Sequence, residues 1–226
     1  MTFWAELVAA FAPPGCAACR RALTAAGERL CADCALALPW LLGGCPRCAL
    51  PRHRGRACPA EAAAYPRAFS PVAYEGVARD LVVALKFRGA LAVANVMAAH
   101  IAANLPADLR GPGVALVPVP ALGARRRSRG FDPAQVLSRA LGRRLDRPVV
   151  ECLARVDRSA RQVGASRAAR RAPGRLRVRV RGAPPPFALL VDDVYTTGTT
   201  LDTCARALHA DGRATVIGAV SYARTL

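Results

Sequence analysis

The sequence predicts an α/β protein in which helices flank a parallel sheet, with a small cysteine-rich unit in front of it. Two observations lead to this prediction. Apolar strand-like segments alternate with helical segments after residue 65, which is the pattern of a doubly wound parallel sheet. Seven of the nine cysteines lie between positions 16 and 58, before that alternation begins. We therefore expect two domains, residues 1–64 and residues 65–226.

The composition allows one ordinary core and carries an unusual charge. Of the 226 residues, 53% are hydrophobic, which suffices for an α/β domain with a small appendage. The formal net charge is +18, and residues 125–181 hold 18 arginines against four acids, a net charge of +14. Such a field attracts polyanions, either nucleic acid or a phosphorylated small molecule. A solvated, arginine-biased surface is the simpler alternative.

Neither a targeting segment nor a membrane-spanning segment is expected. Residues 3–11 lack a basic start and contain Glu6, and their apolar positions fit an amphipathic helix better than a signal peptide. The apolar stretch at residues 90–105 is interrupted by Asn95 and His100. We expect a cytoplasmic protein that does not insert into membranes.

Six of the N-terminal cysteines form three pairs with two residues between the members, and Cys58 stands alone. In a cytosolic chain this is metal spacing, because a tight turn points both thiolates at one tetrahedral zinc. Two pairs close one structural site, so at least one zinc is expected. A second site lacks its fourth cysteine, since Glu61 stands where another pair would close; the fourth ligand is either His53 or absent. The candidate ligands are Cys16, Cys19, Cys31, Cys34, Cys45, Cys48 and Cys58. We expect Cys152 and Cys204 to be buried apolar thiols.

The segments after residue 65 have recognisable ends. Helical spacing over residues 77–88 stops at Gly89, and a helix over residues 200–211 stops at Gly212. Asp132 followed by Pro133 is typical of a helix start. Another helix is expected at residues 90–105, and strands at residues 70–76, 114–120, 148–156, 175–181, 187–194 and 214–223.

The stretch LLVDDVYTTGTTLD, residues 189–202, places two acids beside a loop rich in hydroxyl groups. Ligands of doubly wound sheets bind beyond the carboxyl ends of strands, where Asp192 and Asp193 are expected. The N–H groups and hydroxyls of such a loop can surround a phosphate at the start of a helix. The carboxylates suit ribose hydroxyls or a magnesium ion. We interpret this corner as a sugar-phosphate site; the structural alternative is an acid pair covering a strand end. The loop residues are Thr196, Thr197, Gly198, Thr199 and Thr200.

This motif resembles the motif by which type I phosphoribosyltransferases bind 5-phosphoribosyl 1-pyrophosphate (PRPP). Over nearly the full length, the order of segments resembles the ComF/GntX family. Those segments are the cysteine ribbon, LKFRG (85–89), LVPVP (116–120), RRRSRGF (125–131), RQVGASRAARRAP (161–173) and the PRPP motif. The resemblance implies a type I phosphoribosyltransferase-like fold that binds PRPP with magnesium.

The resemblance also assigns roles to residues of this chain. Asp192 and Asp193 would be the catalytic acids that hold the ribose hydroxyls, and the threonine loop would bind the 5-phosphate. Residues 155–173 would form a loop that closes over the site. Lys86 is either an additional phosphate contact or a helix residue whose stem covers apolar surface. The arginines expected near the pyrophosphate are Arg125, Arg126, Arg127 and Arg129.

Two departures from the family pattern concern the closing segment. The family often reads Arg-Gly-Phe-Asn-Gln where this chain has Asp132 and Pro133, and Pro173 stands where an asparagine is expected. Both departures leave the PRPP motif itself intact.

Three functions are compatible with these features. The first is a transferase that displaces pyrophosphate from PRPP at the anomeric carbon, for which the sequence names no acceptor and no general base. The second, implied by the resemblance, is an accessory protein of DNA uptake in natural competence that holds single-stranded DNA on its basic face. Aromatic residues make up only 5% of the chain, which argues against a surface on which bases stack. The third is a zinc-ribbon module that docks a partner such as a competence protein.

Overall fold

A computed structural model describes residues 15–25, 27–41, 43–53, 57–156 and 176–226. The predicted N-terminal helix and most of the predicted closing segment lie outside the described residues. Within them, no helix combines the length and the apolar character needed to cross a membrane.

Seven strands and six α-helices organise the described chain. The strands are β1 (Ala68–Phe69), β2 (Val72–Ala73), β3 (Val114–Pro118), β4 (Leu153–Arg155), β5 (Val178–Val180), β6 (Phe187–Tyr195) and β7 (Thr215–Arg224). The helices are α1 (Ala32–Leu36), α2 (Gly76–Arg88), α3 (Val93–Asn104), α4 (Gly123–Arg129), α5 (Pro133–Leu145) and α6 (Thr199–Asp211), with a 3-10 turn at Ala107–Leu109.

A five-stranded parallel sheet forms the centre of the molecule. Its order is β1–β7–β6–β3, and β2 continues the β1 edge by pairing further along β7. Residues 188–191 of β6 are fully buried. This burial explains the continuous apolar run in the sequence, because a central parallel strand is covered on both faces.

Helices cover both faces of this sheet, as predicted. On one face, α2, α3 and α5 contribute a core that includes Leu81, Met97 and Leu137. On the other face, α6 packs with Leu201 and Leu208 against the sheet and against residues of the cysteine-rich unit. The centre of the sheet is therefore covered by helices on both faces.

The predicted helix ends are confirmed. α2 ends at Gly89 and α6 ends at Gly212, and both glycines have the left-handed backbone conformation. The Asp132 side chain accepts a hydrogen bond from the N–H of Ala134 at 3.0 Å, and Pro133 occupies the first turn of α5.

Two predicted strands lie outside the parallel sheet. The strand expected at residues 148–156 is shorter, and it pairs antiparallel with the strand from residues 175–181 as the two-stranded sheet β4–β5. Val149 makes one isolated parallel bridge to Leu116 at the β3 edge. The alternation of valine and arginine in β5 explains its position, because such a strand has one apolar face and cannot be covered on both faces.

Candidate functional site

The parallel sheet opens a crevice where β3 and β6 separate. β3 ends opposite Val191, and the Val119 N–H donates the last hydrogen bond to the Val191 carbonyl at 2.9 Å. β6 continues beside β7 as far as Tyr195. The chain leaves β3 towards α5 on one face and leaves β6 into α6 on the other face. This divergence is the topological switch point at which doubly wound sheets bind ligands.

Charged groups of both signs line a cavity of about 260 Å³ in this crevice. This volume lies just below the usual range of small-molecule sites, which begins at about 300 Å³. The acids are Asp132, Asp192 and Asp193; the bases are Lys86, Arg125, Arg129 and Arg155; and the residues with hydroxyl groups are Tyr74, Thr196 and Thr200.

The paired acids reach the cavity from opposite sides of β6, since successive strand residues point to opposite faces. Both lie inside the strand, two or three residues before its end at Tyr195. The Asp193 carboxylate forms an ion pair with the Lys86 ammonium at 2.7 Å. The Asp192 carboxylate accepts the Asp193 N–H at 2.8 Å. Burial, followed by the neighbouring Asp193 carboxylate, raises the pKa of Asp192 well above its ordinary value.

Asp132 belongs to this cavity, although the sequence suggested only a helix cap. It is buried, and its second carboxylate oxygen accepts the Ala121 N–H at 2.8 Å. It thereby joins the loop after β3 to the start of α5, and burial raises its pKa. No residue pattern in the sequence connects this cap with the acids of β6.

The threonine loop begins α6 at the mouth of the cavity. Gly198 is the N-cap residue with φ 81°, and a Cβ there would approach the side chains of Tyr195 and Tyr65 to within 2.9 Å. Only glycine therefore fits this turn without displacing an aromatic ring. Thr196 and Thr200 line the cavity, whereas Thr197 and Thr199 do not, and the hydroxyls of Thr197 and Thr199 are 2.9 Å apart.

The predicted arginines divide between two directions. Arg125 and Arg129, one turn apart on α4, line the cavity, while Arg126 and Arg127 are exposed and do not line it. Arg155, at the end of β4, also lines the cavity. The sequence had included Arg155 only as the start of the closing segment. Lys86 also lines the cavity. It therefore lies at the candidate site and does not only cover apolar surface with its side-chain stem.

The described residues contain two groups of four potential metal ligands, and in each group the ligand atoms lie within 4.8 Å of one another. The first consists of Cys16, Cys19, Cys31 and Cys34, as predicted. The second consists of Cys45, Cys48, His53 and Cys58. His53, which the sequence left open, therefore completes the second group, and its ring nitrogen Nε2 lies 3.1 Å from the Cys48 sulfur.

The geometry and chemistry of both clusters fit a tetrahedral metal such as zinc. The Cys19 and Cys31 sulfurs are 3.7 Å apart, and the Cys45 and Cys58 sulfurs are 3.9 Å apart. Zinc–sulfur bonds of about 2.3 Å in a tetrahedron separate two sulfurs by roughly 3.8 Å.

The pKa values of the clustered thiols differ in direction. Burial and the hydrogen bonds that the Cys34 thiol donates to the other cysteine sulfurs raise the pKa of Cys34 to about 12. Burial acts in the same direction on Cys16, but hydrogen bonds from the backbone N–H groups of Cys31 and Cys19 outweigh it and lower the pKa to about 6. Crowded thiols therefore resist ionising together, and a bound cation removes that obstacle.

Outside the clusters, Cys152 and Cys204 are buried, as predicted, and burial raises the pKa of both thiols.

The fold and the site define a class of protein. It is an α/β protein with a parallel sheet flanked by helices, an acid pair and a threonine loop at the switch point of that sheet, and two metal-type cysteine clusters in front of it. Over 208 residues the chain is 24% identical to "Competence protein ComFC" of Bacillus subtilis (strain 168). That match covers 88% of this chain and 85% of the relative. The chain is accordingly similar to ComFC over most of its length.

The chain was also compared with protein-family models and with solved structures. No family model matches the chain. Orotate phosphoribosyltransferase from Aeropyrum pernix is 21% identical, with a TM-score of 0.34. The match covers 61% of this chain and 59% of that one, so it spans less than two thirds of the solved structure.

Proposed function

We propose that the protein binds magnesium-PRPP, or a closely related sugar phosphate, in the cavity between β3 and β6. The observation that carries this proposal is the meeting of the paired acids of β6 and the threonine loop of α6 in one cavity with three arginines. The ComFC relative supports a role in natural competence, and we extend the proposal to DNA uptake. The cytoplasmic location expected from the sequence belongs to the same proposal.

Each part of the cavity suits one part of such a ligand. The carboxylates of Asp192 and Asp193 would accept hydrogen bonds from the ribose hydroxyls. The 5-phosphate would lie against the threonine loop, where the N-terminus of α6 favours negative charge. The arginines of α4 and β4 would face the pyrophosphate. Magnesium bound with the ligand would supply positive charge beside the pyrophosphate, and the carboxylate oxygens in the cavity are the type of ligand it prefers.

The reaction that this arrangement would support is phosphoribosyl transfer. The bond from the anomeric carbon to pyrophosphate breaks, and a bond to a nucleophile forms at the same carbon. Positive charge grows on the ribose ring beside Asp192 and Asp193, while negative charge grows on pyrophosphate beside Arg125, Arg129 and Arg155. In each case, fixed side-chain charges of the opposite sign would stabilise the developing charge.

Calorimetric titration of the zinc-loaded protein with PRPP and magnesium tests the proposal. The double variant Asp192→Asn/Asp193→Asn should bind at least about 100-fold more weakly, since two charged hydrogen-bond acceptors are lost. Asp146→Asn is the matched control, because Asp146 is exposed and lies outside the cavity lining. Its φ of 52° is one that asparagine tolerates. A folded wild type that gives no binding heat would overturn the sugar-phosphate proposal.

One observation favours nucleic-acid binding as a second candidate function. Phe87 is 69% exposed, and the Arg129 guanidinium lies 4.8 Å from the centre of its ring. A second opening beside the cavity is lined by both residues and by Arg125 and Phe131. An exposed ring among arginines is the type of surface on which an unpaired base stacks. Docking of a partner protein by the cysteine-rich unit stays a prediction from the sequence.

A further inference from the structure

Arg224, at the end of β7, places a buried guanidinium beneath the threonine loop. The side chain is 5% exposed, and the guanidinium stacks on the Tyr195 ring at 4.2 Å. Its Nη1 donates to the Tyr195 carbonyl at 3.0 Å and also to the Thr196 carbonyl. A buried charge is costly unless its hydrogen-bonding groups are satisfied, so these bonds hold the first residues of the loop firmly.

The same guanidinium reaches the second cysteine cluster. Its Nε donates to the Cys48 carbonyl at 2.8 Å. Cys48 is fully buried and contributes its sulfur to the second group of ligands. One side chain therefore joins the backbone of a metal-ligating residue to the backbone of the proposed phosphate loop.

A second connection runs through the segment after Cys58. The Tyr65 and Tyr195 hydroxyls form a buried hydrogen bond of 2.7 Å. The Ala64 N–H donates to Asp202 in the first turn of α6 at 2.7 Å. The segment is also tied to the cluster, because the Arg47 guanidinium, between two of the cysteines, donates to the Ala60 carbonyl at 3.0 Å.

We propose that metal in the second cluster holds the threonine loop in its phosphate-binding position, with Arg224 as the positioning residue. Ligation of Cys48 fixes the carbonyl that Arg224 contacts. Without the metal, the crowded thiols and His53 would separate, and the carbonyl would move with them. The phosphate in question is that of the proposed sugar-phosphate ligand, so the ligand-binding part of this inference rests on the proposed function.

The first cluster provides an internal comparison. Its neighbours include the α2 residues Val77, which packs against the cluster, and Arg88, whose Nη1 donates to the Ala17 carbonyl at 3.3 Å. Over the ranges that the structure describes, no hydrogen bond joins the first cluster to residues 195–200. Loss of metal there should leave the threonine loop in place.

The experiment compares one cysteine from each cluster, Cys58→Ser and Cys19→Ser. Each variant should retain one zinc fewer than the wild type by elemental analysis. Without any ligand, hydrogen exchange at the amides of residues 196–200 should accelerate in Cys58→Ser and stay unchanged in Cys19→Ser. PRPP affinity should fall roughly tenfold in Cys58→Ser only. Equal effects of the two variants, or no effect of Cys58→Ser, would overturn the inference.

Arg224→Lys separates positioning from metal binding. Lysine keeps the charge but cannot form the forked contacts of a guanidinium. We expect the wild-type zinc content, faster exchange in the loop and weaker PRPP binding; unchanged exchange would show that Arg224 does not position the loop. Should Cys58→Ser not fold, His53→Gln carries the same comparison.

The two proposals can fail separately. If the wild type does not bind PRPP but loop exchange still follows the second zinc, the sugar-phosphate proposal fails and the coupling stands. If PRPP binds but hydrogen exchange in the loop does not depend on zinc in the second cluster, the coupling proposal fails. Thermodynamic linkage adds a reciprocal test, because PRPP should then raise the zinc affinity of Cys19→Ser, measured by equilibrium competition with a chelator, but not that of Cys58→Ser.

Discussion

Asp192 carries a carboxyl whose protonation should control ligand binding. Burial and then the adjacent Asp193 carboxylate raise its pKa. Below that raised pKa the group is protonated and neutral, and above it the group is an anion. The proposed role, to accept ribose hydroxyls beside a developing cation, requires the anion.

We therefore expect the affinity for magnesium-PRPP to increase as the pH rises through the raised pKa of Asp192. Calorimetry at about pH 5 and about pH 8 measures the change, both values lying above an ordinary aspartate pKa. The phosphates of the ligand titrate as well, so the informative quantity is the difference from Asp192→Asn. This variant should bind more weakly at both values and lose the part of the pH dependence that belongs to the protein. The same pH dependence in both proteins would contradict this role.

The sequence identified the residues with a local pattern and missed those defined by tertiary contacts. The acid pair and the threonine loop are contiguous, so one motif revealed them. His53 was only one of two options, because no second ligand of the usual spacing accompanies it. Asp132 and Arg155 line the cavity from distant segments, and Arg224 contacts the backbone of the threonine loop from below. An arginine at the end of a strand gives no signal that its guanidinium will be buried.

Helix α6 lies between two left-handed glycines with different surroundings. Gly198 at its start has φ 81°, and Gly212 at its end has φ 78°. A Cβ at Gly198 would lie 2.7 to 2.9 Å from atoms of Tyr195 and Tyr65, whereas a Cβ at Gly212 would meet nothing within 4 Å. Both positions disfavour alanine by about 1–2 kcal/mol for conformational reasons, but only Gly198 adds a steric cost.

Gly198→Ala should therefore lower the free energy of unfolding by at least about 1 kcal/mol more than Gly212→Ala. Urea denaturation of the two variants measures the difference, and Gly212→Ala serves as the control for backbone conformation. Gly198→Ala should also weaken PRPP binding, because the displaced tyrosines support the loop. Equal stabilities would mean that the aromatic rings move aside without cost.

Helix ends that depend on the backbone preference of one or two residues were predicted well. Strand pairing, which depends on a distant strand, was not. Glycine and the Asp-Pro pair set the ends of α2, α5 and α6 through their own backbone preferences. Period-two alternation correctly indicated a strand at β5 but not its partner, because alternation specifies one apolar face and not the strand that pairs with it. The break between β1 and β2 likewise depends on the register with β7.

The whole molecule combines a strong positive charge with an aromatic ring beside its candidate site. The net charge is +18, and α4 carries four arginines next to the cavity. Phe87 and Arg129 lie in contact at the rim of that region. Charge alone predicts binding to any polyanion, which falls steeply with salt. Stacking on Phe87 would add an uncharged contribution that salt hardly affects.

Substitution of Phe87 separates these two contributions. Phe87→Ala should weaken the binding of a short oligothymidylate about tenfold, as expected for one lost base stack, without changing the slope of log affinity against log salt. Phe187→Ala is the matched control, because Phe187 is 46% exposed at the start of β6, the end of the strand away from the acids. Fluorescence anisotropy over a salt series gives both quantities.

Equal losses of affinity in the two variants would leave only diffuse attraction to the arginines, and the second candidate function would lose the observation that favours it. If only Phe87→Ala weakens oligothymidylate binding, and saturating PRPP removes this difference from the wild type, the oligonucleotide and the sugar phosphate compete for one surface. That surface is shared by Lys86, Arg125 and Arg129.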